Sequence, residues 1–328
     1  MISIRRYRLY GLAVDVEPGL PDLPAEDAAG PADVRVWMGR VPADVFPSVA
    51  EEERWYVSPR LSVEGEPTVV VHRRADGGYR LAYADGCEYV VDGAAAAVAC
   101  TWPAHYTPED AATYLLGPVL GLVLRMRGVP SLHAGAVAMD GGVVAVVGPA
   151  GAGKSTTTAV LAGRGHRVVA DDVLAIRLRD GAVLAQPAYP HLRLWPDSVP
   201  TVLGPGGRLP PLTPNWDKRF MRMDDGFHPH PLPLSAIYLL AARRADDAPR
   251  LEPVLAVEGM LALVGNAYVG WLPDRAAHAR DARVLGQVAR TVPILRATPH
   301  TDPALLTRLC EMIEQDVKRR SGTAGAPA

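Results

Sequence analysis

The chain has 328 residues, 48% of them apolar, and a net charge of −2 from 34 Lys and Arg against 36 Asp and Glu. That balance gives no electrostatic footprint for nucleic acid, the apolar content excludes a disordered chain, and the length fits two domains. Cys87, Cys100 and Cys310 are few and scattered, without metal or disulfide-framework spacing, so each reads as a small buried hydrophobe in a reducing compartment. The start, Met1-Ile2-Ser3-Ile4-Arg5-Arg6, lacks an apolar signal core. The most apolar stretch, 111–124, is too short to span a bilayer and contains Pro118. These features predict a cytoplasmic protein with no membrane and no nucleic-acid partner.

Residues 1–106 read as a small β-rich N-terminal domain. Runs rich in Val, Tyr and Arg at 2–16, 34–38, 68–72, 79–84 and 88–91 are separated by turns such as Asp76-Gly77-Gly78 and Asp85-Gly86. Residues 19–33 form a Pro/Ala/Asp-rich loop. His72, Arg73 and Arg74 read as a solvated strand end, with a role in holding a peptide along a sheet edge as the alternative. Thr107-Pro108-Glu109-Asp110 opens a helix: Thr as N-cap, Pro at N1, acids in the first turn. It extends to about Arg127, is kinked by Pro118, and makes 107–128 a connector between the domains.

From 129 the pattern becomes α/β. Residues 132–138 form a strand carrying His133, which by itself reads as a buried, hydrogen-bonded residue. A hairpin at Asp140-Gly141-Gly142 leads into the apolar strand 143–147. Gly148-Pro149-Ala150-Gly151-Ala152-Gly153-Lys154-Ser155 then matches G-x-x-x-x-G-K-S, followed by Thr156 and a helix over 155–162. The glycines let successive N–H groups turn inward to phosphate oxygens. Lys154 reaches the β- and γ-phosphates, and Ser155 offers a hydroxyl to Mg²⁺. Lys154 is one of three lysines against 31 arginines, so a Lys here is informative. Strand, loop and helix in this order predict an ATP–Mg²⁺ cradle, Gly148 through Thr156. A further strand, 167–170, ends in Asp171-Asp172. Ligands in open α/β sheets sit beyond the carboxyl ends of strands, which puts both carboxylates beside the loop. One can hold Mg²⁺ and the other can accept a proton from an attacking hydroxyl.

His133, the G-x-x-x-x-G-K-S loop and Arg164-Gly165-His166-Arg167-Val168-Val169-Ala170-Asp171-Asp172 together resemble the catalytic domain of HPr kinase/phosphorylase, densely over 128–178 and loosely to about 316. The resemblance implies a P-loop kinase domain of the HPr kinase/phosphoenolpyruvate carboxykinase type over 129–320. It implies that Asp171 is the base for a serine hydroxyl, that Asp172 lies near the metal, and that His133 arranges the site.

Beyond the acidic pair, 173–179 and 182–185 form a hairpin around Asp180-Gly181. In the following stretch Arg193 matches an Arg of the family, but His191 stands where the family carries a Glu. That departure bears on the metal's ligand set and on HPr as substrate. Asp197 reads as a substitute ligand or as an N-cap. Residues 210–233, rich in Pro, Arg and His, read as a long functional loop. Within it Lys218 or Arg219 is a candidate to neutralise a developing phosphoryl charge, with a surface basic pair as the alternative. His228 and His230 are a weak metal signal. Strands at 237–241 and 251–254, helices at 259–263 and 274–288, and a last helix opened by Asp302-Pro303 and running to about 319 complete the domain. Residues 321–328 read as a disordered tail.

The expected function is ATP- and Mg²⁺-dependent phosphorylation of a serine in a peptide or small protein. HPr kinase-like proteins of this appearance also tailor lasso-type peptides, so a ribosomal precursor peptide is the preferred acceptor. The alternatives are an HPr-type carrier protein, a small metabolite, or a non-catalytic ATP-binding regulator. Whether the chain forms a homo-oligomer is left open.

Overall fold

The protein is described from a computed structural model over residues 3–27, 29–48, 51–246 and 248–324. It is a mixed α/β chain whose internal contacts separate it into two units. The first joins Met1–Gly128 to the short segments Thr213–Trp216 and Trp271–Ala277, and the second holds Val129–Leu212, Asp217–Gly270 and His278–Ala328.

The first unit is built on one eight-stranded sheet. The run read as continuous over 2–16 is broken by Tyr10 and Gly11, both at positive φ (57° and 77°). The result is a hairpin of β1 (Arg5–Leu9) and β2 (Leu12–Glu17); Ile2 lies outside the described residues. The sheet continues with β3 (Val34–Met38), β4 (Glu52–Val57), β5 (Val69–Arg74), β6 (Tyr79–Tyr83), β7 (Glu88–Val91) and β8 (Ala97–Thr101), in the order β1-β2-β3-β8-β7-β6-β5-β4. β4 and β8 have no counterpart in the sequence prediction.

The predicted helix is three pieces: α1 (Pro108–Tyr114), a π-turn over Leu115–Val119, and α2 (Leu120–Met126). Its start is a full capping box between Thr107 and Asp110. The break falls at Gly117 (φ −101°, ψ −107°), just before Pro118. Pro disfavours helical backbone in the residue before it. The tyrosines of the sheet hold the helix: Tyr89 donates to the Ala111 carbonyl at 2.7 Å and Tyr10 donates to the Leu116 carbonyl. The segment read as a connector packs on the first unit's own sheet.

The second unit opens with the hairpin β9 (Ser131–Met139) and β10 (Gly142–Val147), then α3 (Lys154–Gly163) and β11 (Arg167–Ala170). β12 (Val173–Arg179) and β13 (Ala182–Gln186) follow, then β14 (His191–Leu194), α4 (Val199–Leu203), β15 (Pro211–Thr213), β16 (Trp216–Arg222) and β17 (Leu232–Leu240). The chain ends with β18 (Arg250–Pro253), α5 (Ala256–Gly265), α6 (Arg275–Thr291), β19 (Ile294–Thr298) and α7 (Leu306–Ala324).

β10 pairs antiparallel with β9 and parallel with β17, while β9 also pairs with β12 and β11. β12 pairs with β13 and β13 with β17, so these strands close on themselves. β19 runs parallel to β17, with β18 antiparallel outside it. β10 is buried throughout, which is why it reads as an unbroken apolar run rather than an alternating one. Its side chains share a core with α7 through Val144, Val146, Leu309, Ile313 and Val317.

Two expectations are corrected. Residues 210–233 are not one long loop: β15 and β16 lie inside it and form a three-stranded sheet in the order β14-β16-β15. The segment 321–324 is not a disordered tail, since α7 continues through Ala324; residues 325–328 lie outside the described residues.

Candidate functional site

The site gathers at the carboxyl ends of β10, β11, β17 and β19. β10 runs into the loop Gly148–Gly153, where Gly151 (φ +80°) and Gly153 (φ +103°) take left-handed backbone that an L side chain would strain. α3 begins at Lys154 with Gly153 as N-cap and no side-chain cap. Its first N–H groups are therefore orphan donors at the positive end of the helix dipole. An uncapped helix start behind a glycine loop fits a polyphosphate. Thr156 leaves this arrangement: its Oγ1 hydrogen-bonds Ser198 Oγ at 2.9 Å.

Lys154 is only 6% exposed, and its Nζ folds back to donate to the Pro149 carbonyl at 2.9 Å. Burial pulls its pKa down to about 8, against the opposing charges of Asp172 and Asp171. A cation this poorly solvated is poised to take an anionic ligand.

β11 ends in the acidic pair. It is not a direct neighbour of β10, because β9 runs between them and pairs with both. β9 contributes His133 and Gly135 between loop and acids. Asp171 is 1% exposed. Its Oδ1 accepts from Ser155 Oγ at 2.7 Å and its Oδ2 accepts from the Arg193 backbone N–H at 2.8 Å. Burial raises its pKa, partly offset by those two hydrogen bonds. Asp172 sits at φ +70°, which turns its side chain away from that of Asp171. His133 Nε2 lies 3.1 Å from Asp172 Oδ1, and Tyr268 donates to Oδ2 at 2.9 Å. Burial disfavours the charged form of Asp172, yet the His133 contact and the charges of Lys218 and Arg193 together outweigh it and leave the pKa well below the ordinary carboxylate value. Two adjacent carboxyl groups thus have proton affinities driven in opposite directions.

The remaining candidates separate. Lys218 lies with its ammonium 5.3 Å from the Trp195 ring centre, and its charge acts on Asp171, Asp172 and Lys154. Arg219 pairs through its backbone with Leu194 and, one residue along β16, points to the opposite face. Arg193 contributes its backbone N–H, while its guanidinium is buried over the Tyr189 ring, 5.3 Å from the centre. His191 is buried between Tyr189 and Phe220, with ring centres 4.4 and 4.9 Å away, and burial holds its pKa well below the ordinary value. Asp197 lies inside a 3₁₀ turn, Pro196–Ser198, whose N-cap is Trp195, and the N-cap of α4 is Ser198, which removes its N-cap reading.

His228 and His230 have no third ligand: among the described residues no group of three His, Cys, Asp or Glu side chains could hold a metal. Tyr268 and Arg243 were missed by sequence reasoning. No local pattern ties Tyr268 to Asp172, 96 residues away, but Arg243 could have been found, since it closely follows the predicted strand at 237–241.

Among the described residues no helix is long and apolar enough to cross a membrane. No family model matches the chain, and no curated protein matches it. Among solved structures, the HPr(Ser) kinase/phosphatase from Coxiella burnetii is similar over 57% of this chain and 98% of its own, at 15% sequence identity and a TM-score of 0.31. An overlap that shallow carries no argument about chemistry; the side chains gathered around Lys154 and Asp171 carry it instead.

Proposed function

We propose that this chain is an ATP-dependent kinase that transfers the γ-phosphoryl group to a serine hydroxyl of a peptide or small protein. The observation that carries the reading is the 2.7 Å hydrogen bond from Ser155 to Asp171, which couples a phosphate-type loop directly to an acidic pair. The donor set fits a magnesium nucleotide. The loop and helix start present N–H donors and Lys154, and Ser155 and Asp172 offer the hard oxygen ligands that Mg²⁺ takes. Mg²⁺, when bound, would be held by Ser155 and Asp172 and would supply positive charge to neutralise the transferring group.

In this reading Ser155 and Asp172 hold the metal side, and Asp172 remains ionised because His133 and Tyr268 donate to it. Asp171, whose proton affinity burial raises, accepts the proton of the incoming hydroxyl. The acceptor oxygen forms its bond to the γ-phosphorus as the bond to the bridging oxygen breaks, and the diphosphate leaves. Lys154 and Lys218 face the oxygens on which charge accumulates. A second allocation, with Asp172 as proton acceptor and Asp171 on the metal side, is favoured by the near-complete burial of Asp171 and by its bond to Ser155.

The acceptor we propose is a lasso-type ribosomal precursor peptide in the cytoplasm, on the resemblance carried by His133, the G-x-x-x-x-G-K-S loop and Arg164–Asp172. An HPr-type carrier protein is the alternative. Incubation with γ-labelled ATP, Mg²⁺ and each candidate acceptor tests the reading. Label in a serine of the precursor supports it, label in the carrier alone moves the substrate, and ATP binding without transfer to any acceptor leaves a regulator.

A further inference from the structure

Beside the phosphate loop lies a cavity of about 230 Å³, lined in part by Asp197, Thr201, Arg243, His300, Pro303 and Leu306. It is framed by backbone. The segment after β17 runs alongside the segment after β19: Arg244 N–H donates to the Pro299 carbonyl at 3.0 Å and Thr301 N–H to the Arg244 carbonyl at 2.9 Å. Asp197 and Ser198 also line it, and their turn is tied to α3 by the Thr156–Ser198 hydrogen bond.

His300 is fixed within this frame at both ring nitrogens. Asp302 N–H donates to Nδ1 at 2.9 Å, so Nδ1 must accept and the proton lies on Nε2. From there it is donated to the Ala245 carbonyl at 3.1 Å. The ring is a rigid flat plate, with Pro303 and Leu306 as apolar company. Asp197 is exposed, and the N-cap positions of the turn and of α4 are held by Trp195 and Ser198 instead. Arg243 is exposed, and its Nη2 lies 3.3 Å from where a Cβ on Gly153 would stand, so its guanidinium overhangs the loop.

A flat ring, an exposed carboxylate and a guanidinium line one cavity, with the guanidinium against the loop, and these three groups match base, ribose and phosphate. We propose that this cavity is the nucleoside subsite. The base packs on His300, Asp197 accepts hydrogen bonds from the ribose 2′- and 3′-hydroxyls, and Arg243 contacts the phosphates. The inference rests on the reading of 148–155 as a triphosphate cradle and adds a specificity: the chain discriminates nucleoside triphosphate from bare polyphosphate.

The test is equilibrium binding of ATP, 2′,3′-dideoxy-ATP and inorganic tripolyphosphate to the full chain with Mg²⁺. Stacking and a charge-assisted hydrogen bond each correspond to roughly tenfold or more in affinity, so ATP should bind at least about tenfold tighter than tripolyphosphate. Asp197→Asn should weaken ATP about tenfold, to the level of the dideoxy analogue, and leave the analogue unchanged. His300→Ala should weaken ATP about tenfold without changing tripolyphosphate, while His300→Phe, which keeps a flat ring, should retain most of the affinity. Equal binding of ATP and tripolyphosphate by the wild-type chain would overturn the subsite and leave the cradle standing. Equal loss of both ligands in His300→Ala would show a structural role for the ring and overturn it too. Failure to bind any of the three would overturn cradle and subsite together.

Discussion

Gly135 is the position where the fold and the site can be separated by one methyl group. It lies on β9 under the helix that starts at Lys154. A Cβ placed there would stand 2.1 Å from Thr158 Oγ1, 3.2 Å from Thr158 Cβ and 3.5 Å from the Lys154 carbonyl oxygen. Thr158 is fully buried, and its Oγ1 is committed to that carbonyl at 2.9 Å. Relief requires α3 to move by about 1 Å or the hydroxyl to abandon its acceptor. Either response costs about 1–3 kcal/mol, the usual range for an overpacked core. Because the moved helix carries Lys154 and Ser155, ATP affinity should fall as well. Thr158→Ala removes the offending oxygen at a cost of about 1 kcal/mol for the lost hydrogen bond. In the double variant Gly135→Ala/Thr158→Ala the new methyl occupies the vacated space, so the cost should be at least about 1 kcal/mol below the sum of the singles. Urea unfolding followed by circular dichroism gives the three stabilities, and titration with ATP gives the affinities. A Gly135→Ala stability within about 0.5 kcal/mol of wild type, the ordinary scale of neutral substitutions, or an additive cycle would refute the packing argument.

Other consequences concern charge. Lys154 carries its proton below about pH 8, and a bound triphosphate favours the protonated form. ATP affinity should therefore be flat below that pH and fall by about tenfold per unit above it, with proton uptake on binding, until the pKa of the bound state is reached. Lys154→Met should lose most of the affinity and this alkaline limb together; titrations at pH 7 and 9 in buffers of different ionisation enthalpy read both. Glu314 is held down to about 2 by its hydrogen bond from Arg164, against burial and with help from His166. A depressed carboxyl contributes stability that is complete above its unfolded value near 4.5 and lost as pH falls toward 2. Glu314→Gln should lower stability at pH 7 by about 1–2 kcal/mol, less than a buried pair because Arg164 is partly exposed, and flatten the acid limb of a stability–pH curve. An unchanged limb would show that the pair is solvent-screened.

The parts of the fold legible in the sequence were those fixed by local chemistry. The capping box at Thr107, the Asp-Gly turns at Asp140-Gly141 and Asp180-Gly181, and the buried run of β10 each carry their cause within a few residues. β16 was missed because Trp216–Arg222 is half-exposed and charged; its pairing with β14, not its own pattern, makes it a strand. β8 hid in an Ala-rich run, and β19 is a five-residue strand with an Arg in its centre. At the site, the loop and both aspartates were legible from spacing. Arg243 was legible only as a residue just past a predicted strand. Tyr268 and His300 were not legible, because the chain brings them there through its tertiary fold rather than through a motif. The same holds for the part played by Arg193, whose backbone rather than its guanidinium meets Asp171.

The central claim is tested most directly by single-turnover transfer from γ-labelled ATP–Mg²⁺ to the precursor peptide, wild type against Asp171→Asn. The account predicts label in the wild-type reaction and, with nucleotide still bound at close to wild-type affinity, loss of transfer by at least about a hundredfold in the variant. Transfer by Asp171→Asn at the wild-type rate would contradict it.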